Sequence, residues 1–130
     1  MLTSRPITPI LPVTDLERAK RFYTTNLGLR PSSEKGPPDT AIFEASGQQK
    51  LELMKRPQPT KAEHTALSFE VDDIEREIKD LEGRGVRFED YDQPGLKTER
   101  HIATMNGGRA AWFKDSEGNI LCIHQQSGRR

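Results

Sequence analysis

Three histidines and a single cysteine carry most of the reactive chemistry in this sequence. Cys122 and His124 stand two apart in NILCIHQ, and alternation along an extended chain puts them on one side of it. Glu52, in KLELMK, offers a carboxylate from a second extended stretch. A cysteine beside a histidine is the minimum for an activated thiolate, and Cys, His and Glu together form an N/S/O set acceptable to zinc. The thiolate reading lacks support, because a reactive cysteine needs a neighbouring cation or a helix start, and mid-strand Cys122 has only His124. Cys122 is therefore read as a small hydrophobe on a sheet. His64 reads as a partly exposed residue at a strand start, and His101, in the polar TERHIA, as a solvated loop residue. MNGGRAA lacks both GxGxxG spacing and a following helix, so no phosphate cradle is present.

The elements that must position these groups are legible from periodicity. ITPILPV (7–13) is extended, and Asp15 sits as an N-cap ahead of a helix with Leu16, Ala19, Phe22, Tyr23 and Leu27 on one face and Gly28 at its end. LRPSS reads as a short edge strand; TAIFEA (40–45) and KLELMK (50–55) read as strands around Ser46-Gly47. RPQPTKAE is a linker. TALSFEV (65–71) alternates like a strand, Asp72-Asp73 opens a helix with Ile74, Ile78 and Leu81 inward, and VRFEDY is a short strand. QPGLKTERHIATMNGG is either a mobile loop or partly extended, and the 91–108 segment is a possible lid. RAAWFK and NILCIHQ close the chain as two strands joined by DSEG.

The order strand, helix, three strands occurs twice. VTDLERAKRFYTTNLGLRP lies over VDDIEREIKDLEGRGVRFE, pairing Val13 with Val71, Asp15 with Asp73 and, after a one-residue gap, Gly28 with Gly85. The expected fold is α+β: two tandem βαβββ modules, about 6–56 and 64–126 with a 57–63 linker, forming a cupped mixed sheet with helices outside. Parity then assigns faces. Leu11, Val13, Leu51, Leu53, Leu67, Phe69, Val71, Leu121 and Ile123 belong beneath the helices; Thr8, Ile10, Glu52, Met54, Ala66, Ser68, Cys122, His124 and Trp112 belong on the cup side.

Composition narrows the function. One domain fits 130 residues. Twenty basic residues balance twenty acidic ones, which leaves no excess charge for a nucleic acid or an anionic membrane. A single cysteine excludes an internal disulfide framework, and MLTSRPITPILPVTD has no apolar run suited to a signal or a membrane span; a soluble cytoplasmic protein is expected. The mean hydropathy of −0.80 leaves little apolar surface, a hint that some of it is shared with a second subunit.

PVTDLERAKRFYTTNLGL, FEVDDIE with GRGV behind it, and AAWFKDSEGNIL together resemble the vicinal oxygen chelate superfamily, which includes glyoxalase I, the bleomycin-resistance proteins and the extradiol dioxygenases. The resemblance implies paired βαβββ modules and a homodimer. It also implies four inward metal-ligand positions, which here read Thr8, Glu52, Ala66 and Cys122. Only Glu52 is a strong hard-metal ligand, and a catalytic centre normally keeps three. A rescue through His64 or His124, two residues from Ala66 and Cys122, displaces the ligand by about 6–7 Å along the strand. Expected, therefore, is a metal-independent binder of the bleomycin-resistance type, acting by sequestration in a dimer cavity. Thr8, Glu52, Met54, Ala66, Ser68, Trp112, Cys122 and His124 would touch a small, partly aromatic drug or metabolite, with Trp112 as a stacking surface or as filler of a dimer seam. No cofactor is expected. The alternative is a divergent metal-dependent lyase, isomerase or dioxygenase, or a metal-free enzyme with Glu52 as general base; Glu52, His64 and His124 are its weak metal candidates.

Overall fold

The computed structural model describes residues 1–105 and 107–126. It divides into two compact units, Met1–Lys61 with Ser116–Gly118, and Ala62–Asp115 with the chain from Asn119 onward.

In the first unit a short turn of helix, Leu2–Ser4, precedes Ile10–Val13 (β1), Leu16–Arg21 (α1), Arg30–Pro31 (β2), Thr40–Glu44 (β3) and Lys50–Lys55 (β4). The sheet order is β1-β4-β3-β2, with β1 parallel to β4 and the other pairs antiparallel. Asp15 caps α1 by accepting from the Arg18 N–H at 3.0 Å. The helix continues as one wider turn, Phe22–Asn26, in which the Leu27 N–H reaches the Phe22 carbonyl at 3.2 Å. Gly28, at φ 77°, then ends it in a conformation that glycine adopts without strain. Leu11, Val13, Phe43, Leu51 and Leu53 are buried with Ala19 and Tyr23, so one parity of each strand faces the helix. Each such side chain contributes about 1.5–3 kcal/mol by leaving water.

The second unit repeats the topology. Thr65–Glu70 (β5) leads to Ile74–Gly83 (α2), Phe88–Glu89 (β6), Asp92–Gln93 (β7), Leu96–Lys97 (β8), Ala103–Met105 (β9), Gly108–Lys114 (β10) and Ile120–Gln126 (β11). Its sheet runs β5-β11-β10-β6, again with the first strand parallel to the last. This identical strand order bears out the α+β, twice-written βαβββ reading. Asp73 caps α2 through the Arg76 N–H at 3.2 Å, and Ile74, Ile78 and Leu81 are buried.

Several details correct the expectations. β1 starts at Ile10 rather than at residue 7, leaving Thr8 exposed and ahead of the strand; prolines 6 and 9 have no N–H to give a ladder. Of the two forms expected for segment 91–108, its described residues take the partly extended one: β7 and β8 form a hairpin and β9 pairs with β10, with Asn106 outside the described residues, as are positions 127–130. Leu67, Phe69 and Val71 are half-buried, since α2 packs over β10 and β11 and β5 is the sheet's edge. His101 is not a solvated loop residue, as its partners below make plain. Finally, β5 carries a bulge. Thr65 pairs with Ile120 and Leu67 with Leu121, so Ala66 is an extra residue and parity changes across it.

Candidate functional site

The helix-free face of the second sheet holds four of the eight expected binding residues, Ser68, Trp112, Cys122 and His124. Across the strands, Ser68 lies beside Cys122, Cys122 beside Trp112, and Trp112 beside Glu89. The next row holds Glu70, His124, Ala110 and Ala103. Phe113, one residue from Trp112, is fully buried on the helix side, as alternation predicts. The indole N–H of Trp112 donates to Thr65 Oγ1 at 3.0 Å, and the Tyr91 ring meets the indole edge-on, with centroids 5.6 Å apart at 87°. Two contacts therefore fix the indole plane before any ligand arrives. Simple parity places Thr65 with Leu67 on the helix side; the bulge turns it to the Trp112 side, which no sequence signal announced. Tyr91 lies just beyond β6 and was likewise missed. Burial raises its hydroxyl pKa above the ordinary value, and the Glu89 carboxylate and Cys122 add to the effect.

Ser68 Oγ and His124 Nδ1 lie 2.5 Å apart. Cys122 is buried, its thiol 3.4 Å from the Ile123 carbonyl. Burial pushes the thiol pKa up against the opposing influence of Ser68 and the Ala111 backbone, which disfavours the thiolate.

In the first unit, Glu52 stands in register between Ile10 on β1 and Ile42 on β3, with Met54 two residues along beside Pro12 and Thr40. Among the described residues of that unit, no side chain pairs with its carboxylate. The positions that the family resemblance offers a metal fit one poorly. Thr8 is exposed and outside β1, Ala66 has no donor and sits at the bulge, and Cys122 is buried with its thiol against the Ile123 carbonyl. Of the substitutes, His64 is exposed ahead of β5, and His124 has one ring nitrogen engaged by Ser68. Among the described residues, no group of three or more His, Cys, Asp or Glu is arranged to hold a metal ion.

On the other side of the second sheet, His101 is clasped. Its Nδ1 lies 3.0 Å from Asp90 and its Nε2 3.2 Å from Glu82, while its ring stacks on Phe88 at 5.9 Å. Arg100 and His101 both have positive φ, 53° and 74°, forming the two-residue turn between Glu99 and Ile102. A cleft of about 860 Å³ opens there, lined by Glu75, Lys79, Glu82, Arg100, His101 and Arg109 among others. It contains none of the expected binding residues, and several of its charges pair with one another, Arg109 with Glu75 at 3.7 Å for example. Its lining mixes polar and apolar groups, and the expected binding residues lie on the opposite face of the sheet.

Glu117 is a buried charge that sequence reasoning overlooked. Its side chain is 1% exposed and accepts from the Thr14 and Asp15 N–H groups, Arg18 Nε and Nη2, Thr14 Oγ1 and Ser116 Oγ. Burial alone would raise its pKa, yet Arg18, Ser116 and the two backbone donors hold it down to about 2. The glutamate anchors the start of α1.

A βαβββ unit written twice, with a helix on one face of each sheet, defines a class of protein. Residues 6–123 match the model of the Glyoxalase/Bleomycin resistance protein/Dioxygenase superfamily, and the chain belongs to that superfamily. It is 27% identical to the uncharacterized protein YraH of Bacillus subtilis (strain 168), over 87% of this chain and 91% of that one. Its fold is similar to that of TnmS3, an antibiotic binding protein from Streptomyces sp. CB03234, at a TM-score of 0.74 and 24% identity over 98% of this chain and 99% of the other. Lactoylglutathione lyase from Agrobacterium tumefaciens is also similar, at a TM-score of 0.69 and 20% identity over 98% of each chain. Among the described residues, no helix is long and apolar enough to cross a membrane.

Proposed function

We propose that this protein is a metal-independent binder of a small, partly aromatic drug or secondary metabolite, acting as a cytoplasmic homodimer that sequesters its ligand in the manner of a bleomycin-resistance protein. The observation that carries the reading is the indole of Trp112, held by Thr65 and Tyr91 on a helix-free sheet face next to Ser68, Cys122 and His124. A fixed aromatic plane beside a few polar groups suits a flat ligand. The fold serves both a binder and a lyase among its relatives, so the residues must decide between them. Here only Glu52, of the four metal positions implied by the family, is a hard ligand.

Glu52 also supports the second reading, a glyoxalase-like lyase or isomerase or a dioxygenase. A carboxylate set between Ile10 and Ile42 with no pairing side chain in its unit is placed as a general base would be. Two measurements separate the readings. Metal analysis of tag-free protein should find far less than one equivalent of Zn, Ni, Mn or Fe per subunit. A stoichiometric metal lost on Glu52→Ala or His64→Ala would overturn the binding reading. A thermal-shift screen of aromatic natural products should find stabilisers, since a ligand at a hundred times its Kd adds about 2.7 kcal/mol. Turnover of a keto or thiol-adduct substrate, with no stabiliser found, would favour the enzyme.

A further inference from the structure

We propose that the corner formed by Trp112, Tyr91 and Glu89 on the second unit's helix-free face recognises a positively charged nitrogen, so that the ligand of this face is a flat ring system carrying a cationic charge. The proposal rests on the small-molecule reading above and names the ligand class that this reading leaves open.

Register places the three groups together. Trp112 pairs with Glu89 and Phe113 with Phe88. Residues directly opposite in an antiparallel pair point to the same side, and the rings of Phe88 and Phe113, 5.4 Å apart at 68°, are both buried on the helix side. Glu89 and Trp112 are therefore neighbours on the other side, with Cβ atoms ~4.5–5.5 Å apart. Tyr91, two residues beyond Glu89, brings its ring to 5.6 Å from the indole at 87°. Two aromatic planes near a right angle and a carboxylate thus share one corner, and Thr65 holds the indole in place there.

Charge decides what the corner can hold. The cross-strand row Ser68, Cys122, Trp112 and Glu89 contains one carboxylate and no cationic side chain. Glu89 is half-buried, and among the described residues its carboxylate makes no hydrogen bond or ion pair. Arg87, two residues before it, and Lys114, two residues after Trp112, are exposed and pair with no carboxylate among the described residues. Glu70, in the next row, has a partner of its own and adds nothing to the argument. A partly desolvated carboxylate without a partner is costly, and a cation beside it lowers the cost. The face of an indole attracts a cation too, through the negative charge density of its ring. Trp112 is half-buried, so part of its surface stays open to a ligand. Both attractions converge on a positive group lying against Trp112, and both oppose an anion there. Tyr91 feels the same field: burial first, and the Glu89 carboxylate next, raise its hydroxyl pKa.

The test uses 1-methylquinolinium and 1-methylnaphthalene, flat two-ring systems of the same shape that differ in whether a ring carries a positive charge. Trp112 is the sole tryptophan of the chain, so a single indole N–H resonance in the ¹⁵N spectrum of the full chain reports binding at this corner. Titrations give the ratio of the two affinities, which cancels what the rings gain simply by leaving water. Glu89→Gln should weaken the cation about three- to ten-fold and leave the neutral compound unchanged, so the ratio falls by the same factor. Glu89→Asp should keep part of the ratio, and Glu89→Lys should lower it further than Gln does. A ratio that is the same in the native and Gln proteins, or an equal loss for both compounds, would overturn the proposal while leaving the small-molecule reading standing. If neither compound moves the indole resonance of the native protein, that reading of this face falls and the proposal with it.

Discussion

Trp112 Nε1 donates to Thr65 Oγ1 at 3.0 Å because β5 carries one residue more than β11 between Thr65 and Leu67. The bulge at Ala66 thereby recruits a residue from the wrong parity to hold the indole. Thr65→Val keeps the shape and removes the acceptor. Urea denaturation should show a loss of about 0.5–1.5 kcal/mol, and Trp112 should gain motion in fluorescence anisotropy. Thr65→Ser should restore both; an unchanged anisotropy in the valine variant would mean that Tyr91 alone holds the ring.

Glu117 makes stability depend on acid. Its pKa is about 2 in the folded chain against an ordinary 4.5. A carboxyl with a depressed folded pKa contributes its full stability above the unfolded value, and the contribution is lost as pH falls through the folded one. The window is therefore about pH 4.5 down to 2. At 1.36 kcal/mol per pH unit the gap of roughly 2.5 corresponds to about 3 kcal/mol, of which the half-exposed Arg18 leaves somewhat less after solvent screening. Urea melts at pH 7 and pH 2.5 should show the native protein losing about 2–3 kcal/mol more than Glu117→Gln. Parallel losses in the two proteins would contradict the assignment.

Cys122 should be slow to alkylate. With its thiol buried and its pKa raised, iodoacetamide at pH 7.5 should modify it far more slowly than a free thiol, and unfolding in urea should abolish the protection. Modification at the rate of a free thiol in the folded state would show that the face is more open than its burial implies.

Gly108 pairs with Gln126, where a Cβ would lie 2.5 Å from the Gln125 carbonyl oxygen and 3.3 Å from the Gln126 Cα. Both obstacles are backbone, so nothing swings aside. Gly108→Ala should cost about 1–3 kcal/mol in a thermal or urea melt. Gly47 is the contrast: nothing lies within 4 Å of its absent Cβ, and only its φ of +65° penalises alanine, by about 1–2 kcal/mol. A Gly108→Ala protein as stable as the native one would show that β10 and β11 separate at that end.

By itself the sequence determined whatever depends on local period and capping. Asp15 and Asp73 cap their helices as their spacing announces, KLELMK is a strand over the predicted residues, and Phe113 and Trp112 divide between the two faces. The repeat was visible for the same reason, since two copies of one topology need two copies of one hydrophobic pattern. Tertiary structure decided what depends on partners distant in the chain. A bulge exists only relative to the strand it pairs with, so the side of Thr65 was invisible until β11 stood beside β5. Glu117 read as one turn residue among several until Thr14, Asp15 and Arg18, about a hundred positions earlier, supplied its donors. His101 looked solvated because Glu82, Phe88 and Asp90 converge on it only once α2 and β6 are packed. Short-range pattern fixes elements and faces, whereas hydrogen-bond partners for buried groups are chosen by the packing of those elements.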